Sequence, residues 1–151
     1  MFNFFKKSYF SKEEQAILVA AIRESEKATS GEIRLFIEGK HKQSTVLQRA
    51  GELFFKLKME KTELRNGVLI YLAMQSKQVA IFADEGIYQR VGQVYWDTCI
   101  ADIIAPLKAG AKVDALVQVI TKVGATLSTE FPYLENTDKN ELPDDIVFGK
   151  N

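Results

Sequence analysis

The run GVLIYLAM at positions 67–74 constrains the fold more than any other feature of the chain. It is apolar almost throughout, without the alternation of a half-exposed strand. It is also far shorter than the roughly 18 apolar residues of a membrane-crossing helix. Bounded by Asn66-Gly67 before it and Gln75-Ser76 after it, the run reads as a strand buried on both faces. Two buried faces require a layer of structure on each side, so the flanking sequence has to supply helices.

It does. Ser11 with Glu14 three residues on forms a capping box, and Ile17, Leu18, Ala21 and Ile22 follow at helical spacing. This helix is expected to end near 28–30, before Gly31. EIRLFIE at 32–38 alternates as a strand, and Val46, Leu47, Ala50, Leu53, Phe54 and Leu57 form a second helical stripe. Between that stripe and the central run, 59–66 is charged and turn-like. Residues 78–83 form a third strand, close enough to the second to make a hairpin, and Asp84-Glu85-Gly86 reads as the turn that ends it. Val94, Trp96, Cys99, Ile100, Ile103, Ile104 and Leu107 predict a third helix, with Pro106 near its end or at a kink. Leu116, Val117, Ile120, Gly124 and Leu127 predict a fourth, stopped by Phe131-Pro132. The order α-β-α-β-β-α-α gives an α/β fold, a small mixed β-sheet sandwiched between helices. Strands one and two are parallel through the helical crossover, and strand three is antiparallel to strand two. Residues 1–132 form one domain, and 133–151 are expected to be a polar, acidic C-terminal tail.

Composition excludes several classes. The chain has 151 residues, 46% of them hydrophobic, which is one globular domain with enough core to fold unaided. Twenty Lys and Arg balance twenty Asp and Glu, so there is no basic field for nucleic acid or an anionic membrane. A single cysteine, Cys99, excludes an intrachain disulfide. The opening MFNFFKKSYF is too interrupted for a signal-peptide core, and no transmembrane segment is legible, so the expected compartment is the cytoplasm. Phe2, Phe4, Phe5, Tyr9 and Phe10 either pack back on the domain or form a foot for a partner or membrane.

The topology gathers residues that are distant in sequence. Parallel pairing sets the start of strand one beside the start of strand two, and the hairpin returns the end of strand three to the same place. Glu32, Asn66, Asp84 and Glu85 therefore converge, and Asp97 joins them if the third helix begins nearby. Three carboxylates and an amide oxygen suit a hard divalent cation such as Ca²⁺ or Mg²⁺. Gly67 and Gly86 let backbone carbonyls approach. The competing reading leaves Glu32 in solvent and Asp84-Glu85-Gly86 as a plain turn.

These segments resemble the TPM domain family of thylakoid, photosystem-repair and modulator proteins, in its short stand-alone bacterial branch. The resemblance spans 10–132 and rests on SGEIRLFIE at 30–38, RNGVLIYLA at 65–73, KQVAIFADEGI at 77–87 and VYWD at 94–97. The tail segment NELPDDI at 140–146 agrees. The resemblance implies a sheet between helices and divalent-cation binding, Ca²⁺ most often, in loops at one edge. It also implies acid phosphatase activity in some members and roles as membrane-attached modulators in others. Asn66-Gly67, Asp84, Gly86, Asp97 and Glu32 fall on matching positions. Arg65 departs, standing where many members carry Asp, and Ala83 replaces a usual glycine.

Marks of phosphatase chemistry are sparse. Cys99 sits in an apolar helix with Ala105 where a phosphate-loop arginine belongs, and reads as a buried thiol. His41, the one histidine, lies in a lysine-rich loop at the opposite end of the strands. Arg65 and Arg90 either hold a phosphate or decorate the surface. Tyr95 and Trp96 read as core or lip residues. Three functions follow as expectations: a Ca²⁺- or Mg²⁺-binding regulatory or interaction module; a metal-assisted phosphomonoesterase at the same site; and a metal-free scaffold for an unidentified protein partner.

Overall fold

The computed structural model describes residues 9–42, 45–133 and 146–149. Helix α1 (Lys12–Glu26) starts at the expected capping box. The Ser11 hydroxyl accepts from the Glu14 N–H at 3.0 Å, and the Glu14 carboxylate accepts from the Ser11 N–H at 2.8 Å. Strand β1 (Glu32–Glu38) and strand β2 (Gly67–Ala73) are buried at all seven positions each. Between them runs α2 (Val46–Lys56), capped by Thr45 and Gln48. Strand β3 (Gln78–Ala83) closes the hairpin. Helices α3 (Glu85–Lys108) and α4 (Lys112–Glu130) follow, and a short strand, β4 (Ile146–Phe148), ends the described chain.

The sheet order is β3-β2-β1-β4. β1 and β2 are parallel with Glu32 opposite Gly67, and β3 runs antiparallel to β2 with Ala83 opposite Val68. Strand alternation sorts the side chains into two cores. Ile33, Leu35, Ile37, Val68, Ile70, Leu72, Val79 and Ile81 face α1, α3 and α4, while Phe36, Leu69, Tyr71, Ala80 and Phe82 face α2. The central run is therefore buried by helices on both faces, as its composition requires.

Two features differ from the expectation. The third helix begins at Glu85, well before Val94. Asp84 does not open a turn but is the helix N-cap, extended at φ −68°, ψ 164°. The helix then breaks at Gly92 (φ 80°, ψ 168°), a backbone conformation reserved for glycine, and resumes on a new axis. The apolar rhythm legible from Val94 is that of the second segment only. Secondly, Ile146–Phe148, inside the segment read as a tail, pairs parallel to β1 as a fourth strand. Phe2, Phe4, Phe5 and tail residues 134–145 and 150–151 lie outside the described residues. Phe10 is buried and lies under the Lys112 ammonium, which is 4.6 Å from the ring centre.

A polar clamp fastens α2 to the sheet. The buried Glu38 carboxylate receives Arg49 Nε at 2.7 Å, Arg49 Nη2 at 3.0 Å and the Tyr71 hydroxyl at 2.5 Å. The two-pronged arginine contact neutralises a carboxylate that would otherwise be costly to bury.

Candidate functional site

The starts of β1 and β2 and the end of β3 do meet. The Glu32 N–H donates to the Asn66 carbonyl at 3.4 Å, and the Asp84 N–H to the Gly67 carbonyl at 2.9 Å. At this end Asp84 is 2% exposed, and its carboxylate is fully engaged. Arg65 grips it with both prongs, Nε to Oδ2 at 2.6 Å and Nη2 to Oδ1 at 2.7 Å, and the Glu85 N–H donates to Oδ1 at 2.8 Å. The same carboxylate holds the arginine's proton more tightly than usual. Arg65 reaches it from a left-handed backbone (φ 53°). Its carbonyl accepts from the Gly86 N–H at 2.8 Å. A Cβ on residue 86 would come within 2.2 Å of the Leu64 carbonyl oxygen, so only glycine fits where helix and loop cross.

The other expected ligands are placed differently. Glu32 and Asn66 are buried beside this junction; Asn66 Nδ2 donates to Ser30 Oγ at 3.3 Å. Glu85 is exposed and 3.6 Å from Arg65 Nη1. Asp97 lies on the exposed face of α3 and accepts from Gln93 Nε2 at 2.8 Å. Among the described residues, no group of three or more His, Cys, Asp or Glu side chains is placed to hold a metal ion. The five-residue set of Glu32, Asn66, Asp84, Glu85 and Asp97 thus does not fit a divalent cation as arranged. A guanidinium occupies the carboxylate that would have been its anchor. Oxygens are available elsewhere at the junction. Glu60 Oε1, Thr62 Oγ1 and Asn66 Oδ1 are buried and have no hydrogen-bond partner among the described residues. All three belong to the α2–β2 loop.

Beside the Arg65–Asp84 pair opens a cleft of about 430 Å³. Leu47 and Phe55 of α2 form one wall and Tyr88, Gln93 and Trp96 of α3 the other, with Ile81, Phe82 and Ala83 of β3 between them. The lining is largely apolar. Leu47 and Phe55 are each 50% exposed and Tyr88 is 38% exposed, an unusual density of large apolar surface. Phe55 stacks edge-on against Phe82, and Tyr88 is fixed by its hydroxyl donating to Gln93 Oε1 at 2.5 Å. Trp96 is almost wholly buried in this wall, yet its Nε1–H has no acceptor among the described residues. Sequence reasoning missed most of this cleft. Leu47, read as part of the α2 stripe, is half exposed instead; the visible signals are Phe55, which stands a step off that stripe, and Trp96, read as a core or lip residue.

The remaining candidates lie elsewhere. Arg90 donates to the Glu130 carbonyl at 2.5 Å and covers the Phe131 ring, closing the end of α4. His41 follows β1 at the far end of the sheet. Cys99 is buried in the core beneath α3, where desolvation pushes its thiol up.

The order of elements, the two-faced sheet and the junction at its end define an α/β/α sandwich of mixed strand direction. The chain belongs to the TPM domain family: that domain matches residues 5–126. BA42, a protein from the psychrophilic bacterium Bizionia argentinensis, has a solved structure that is 40% identical to the chain. It superposes with a TM-score of 0.86 over 95% of this chain and 97% of that one. The N-terminal domain of cg2496 from Corynebacterium glutamicum shares the fold at 11% identity, with a TM-score of 0.63 over 90% of this chain and 81% of that one. The N-terminal domain of a P. gingivalis protein does so at 14% identity, with a TM-score of 0.66 over 81% and 78%. No curated protein matches the sequence. No described helix is long and apolar enough to cross a membrane.

Proposed function

We propose that this TPM domain is a binding module whose working site is the cleft between α2 and α3. The observation that carries the reading is the cleft itself: large apolar side chains stand exposed on both walls, and Trp96 of the α3 wall has a buried indole N–H with no acceptor among the described residues. A concave apolar site with a few polar groups is the usual form of a ligand site. The charged groups at its rim, Arg65 and Asp84, are spent on each other, which suits a fixed boundary better than a reacting centre. The test is a set of small apolar amides and short peptides titrated against ¹⁵N-labelled protein. Binding is expected to move the Trp96 indole resonance together with the amides of Phe82, Tyr88 and Gln93. Shifts confined to other surfaces would overturn the reading. So would turnover of a generic phosphate monoester that is lost when Tyr88 is replaced by Ala.

A second reading is favoured by the loop oxygens. Glu60, Thr62 and Asn66 each carry a buried oxygen with no hydrogen-bond partner among the described residues, acceptors of the kind a hard cation takes. In this reading Ca²⁺ or Mg²⁺ orders the α2–β2 loop and with it the rim of the cleft. A thermal melt of chelator-treated protein with each ion decides it. A ligand that binds only the folded state adds about 2.7 kcal/mol at a hundredfold excess over its Kd. A saturating rise that Asn66→Ala abolishes supports the cation, and a flat response to both ions removes it.

A further inference from the structure

The cleft lies at the end of β3, which among the described residues is the last strand on its side of the sheet; Ile81 and Ala83 line it, whereas Val79 lies outside the lining, and Val79 and Ile81 are largely buried. The hydrogen bond from the Asp84 N–H to the Gly67 carbonyl fixes the alternation of the β2–β3 ladder. Gln78, Ala80 and Phe82 turn their backbone groups toward β2, so Val79, Ile81 and Ala83 turn theirs outward. Among the described residues these outward groups have no backbone partner. Open edges are normally blunted by a charge, a proline or a bulge. The strand QVAIFA has neither charge nor proline, and its register with β2 runs unbroken.

The shape of the site selects the occupant. The edge is recessed between the wall of Leu47 and Phe55 and the wall of Tyr88 and Trp96. A second folded copy would bring its own helical layers against these walls, and its β3 side chains already belong to its own cores. A single extended chain can enter. Its backbone would pair with Ile81 and Ala83 in the cleft and with Val79 where it runs on past it, and its alternate side chains would fall on the two walls. Charge sets one further requirement. At the Ala83 end Asp84 and Glu85 face the single guanidinium of Arg65, which leaves one negative charge in excess on the exposed Glu85.

We propose that β3 captures an extended peptide by strand addition, with apolar residues entering the cleft and a lysine or arginine meeting Glu85. This rests on the cleft being the binding site and names what it binds. The test uses an array of blocked eight-residue peptides with Val, Leu, Phe or Met at alternate positions and Lys or Glu at either end. Amide hydrogen exchange and ¹⁵N shifts are the readouts. The best binder is expected to slow exchange at Val79, Ile81 and Ala83 together. Its counterpart N-methylated on the pairing edge should bind about tenfold or more weakly. Glu85→Lys, at an exposed position, should reverse the preference from Lys-ended to Glu-ended peptides. Cleft shifts without protection of those three amides, equal for the N-methylated peptide, would overturn strand addition and leave the cleft a ligand site. The same three amides protected in the free protein, in proportion to its concentration, would make a second copy the occupant. No shift in the cleft with any peptide in the array would overturn the proposal, while shifts there with small amides alone would spare the binding site.

Discussion

At the residue scale, Asp84 carries the end of the sheet. Its N–H extends the β2–β3 ladder, its carboxylate caps α3, and its two oxygens hold Arg65. The sequence placed Asp84 correctly among residues that meet, because strand direction and hairpin return follow from the order of elements. Its partner was not legible. Arg65 reads as an added charge at an acidic position, and its grip depends on a left-handed backbone that no residue type announces. Shape matters as much as charge here, since a planar fork matches both carboxylate oxygens and an ammonium matches one. Arg65→Lys should therefore lower the melting temperature, and Arg65→Met should lower it further by leaving a buried carboxylate uncompensated. Calorimetry at neutral pH checks the order. Equal stability of all three proteins would mean that the pair does not hold the junction.

At the element scale, the breaks and clamps position the cleft walls. The bend at Gly92 lets the first turn of α3 cross the loop at Arg65 while the second segment lies along the core. Only Ile87 of the first segment is fully buried, so it lacks the repeating stripe by which a helix is recognised in sequence. β4 was missed for a related reason: three residues carry too little pattern to announce a strand. Gly92→Ala forces a side chain into a glycine-only conformation and should cost about 1–3 kcal/mol in denaturant unfolding. On the other wall, α2 is tied to β1 and β2 by the Glu38–Arg49–Tyr71 clamp. The sequence showed Tyr71 inside an apolar run but not the carboxylate it serves. Tyr71→Phe keeps the ring and removes one hydrogen bond to a buried charge, a loss of about 1.5–3 kcal/mol. Urea unfolding of the variant measures it, and an unchanged midpoint would show that the Tyr71 hydrogen bond adds nothing to the clamp.

At the scale of the whole molecule, buried acids set the alkaline limit of stability. Burial raises the Cys99 thiol above its ordinary 9.0 and the Tyr71 and Tyr95 phenols well above their ordinary 10.0, with the Glu38 charge adding to Tyr71. The folded chain thus keeps these protons at pH values where the unfolded chain releases them. Their contribution is intact below pH about 9 and declines as pH rises further. Melts across pH 7–11 should be level at first and then fall, and the Tyr95→Phe variant should fall less steeply. The layered fold was readable because one doubly buried strand demands helices on both sides. The cleft was not, because it arises where two layers fail to close over an edge, a property of their spacing rather than of any motif. Trp96, the single tryptophan of the chain, lies in its wall, so one optical signal reports on the site. The most direct test is the emission of Trp96 during titration with the alternating peptides. We predict a saturable change in intensity and wavelength that is lost when Phe55 and Tyr88 are both replaced by Ala. Peptide binding that leaves Trp96 emission unaltered would place the working site elsewhere and contradict the account.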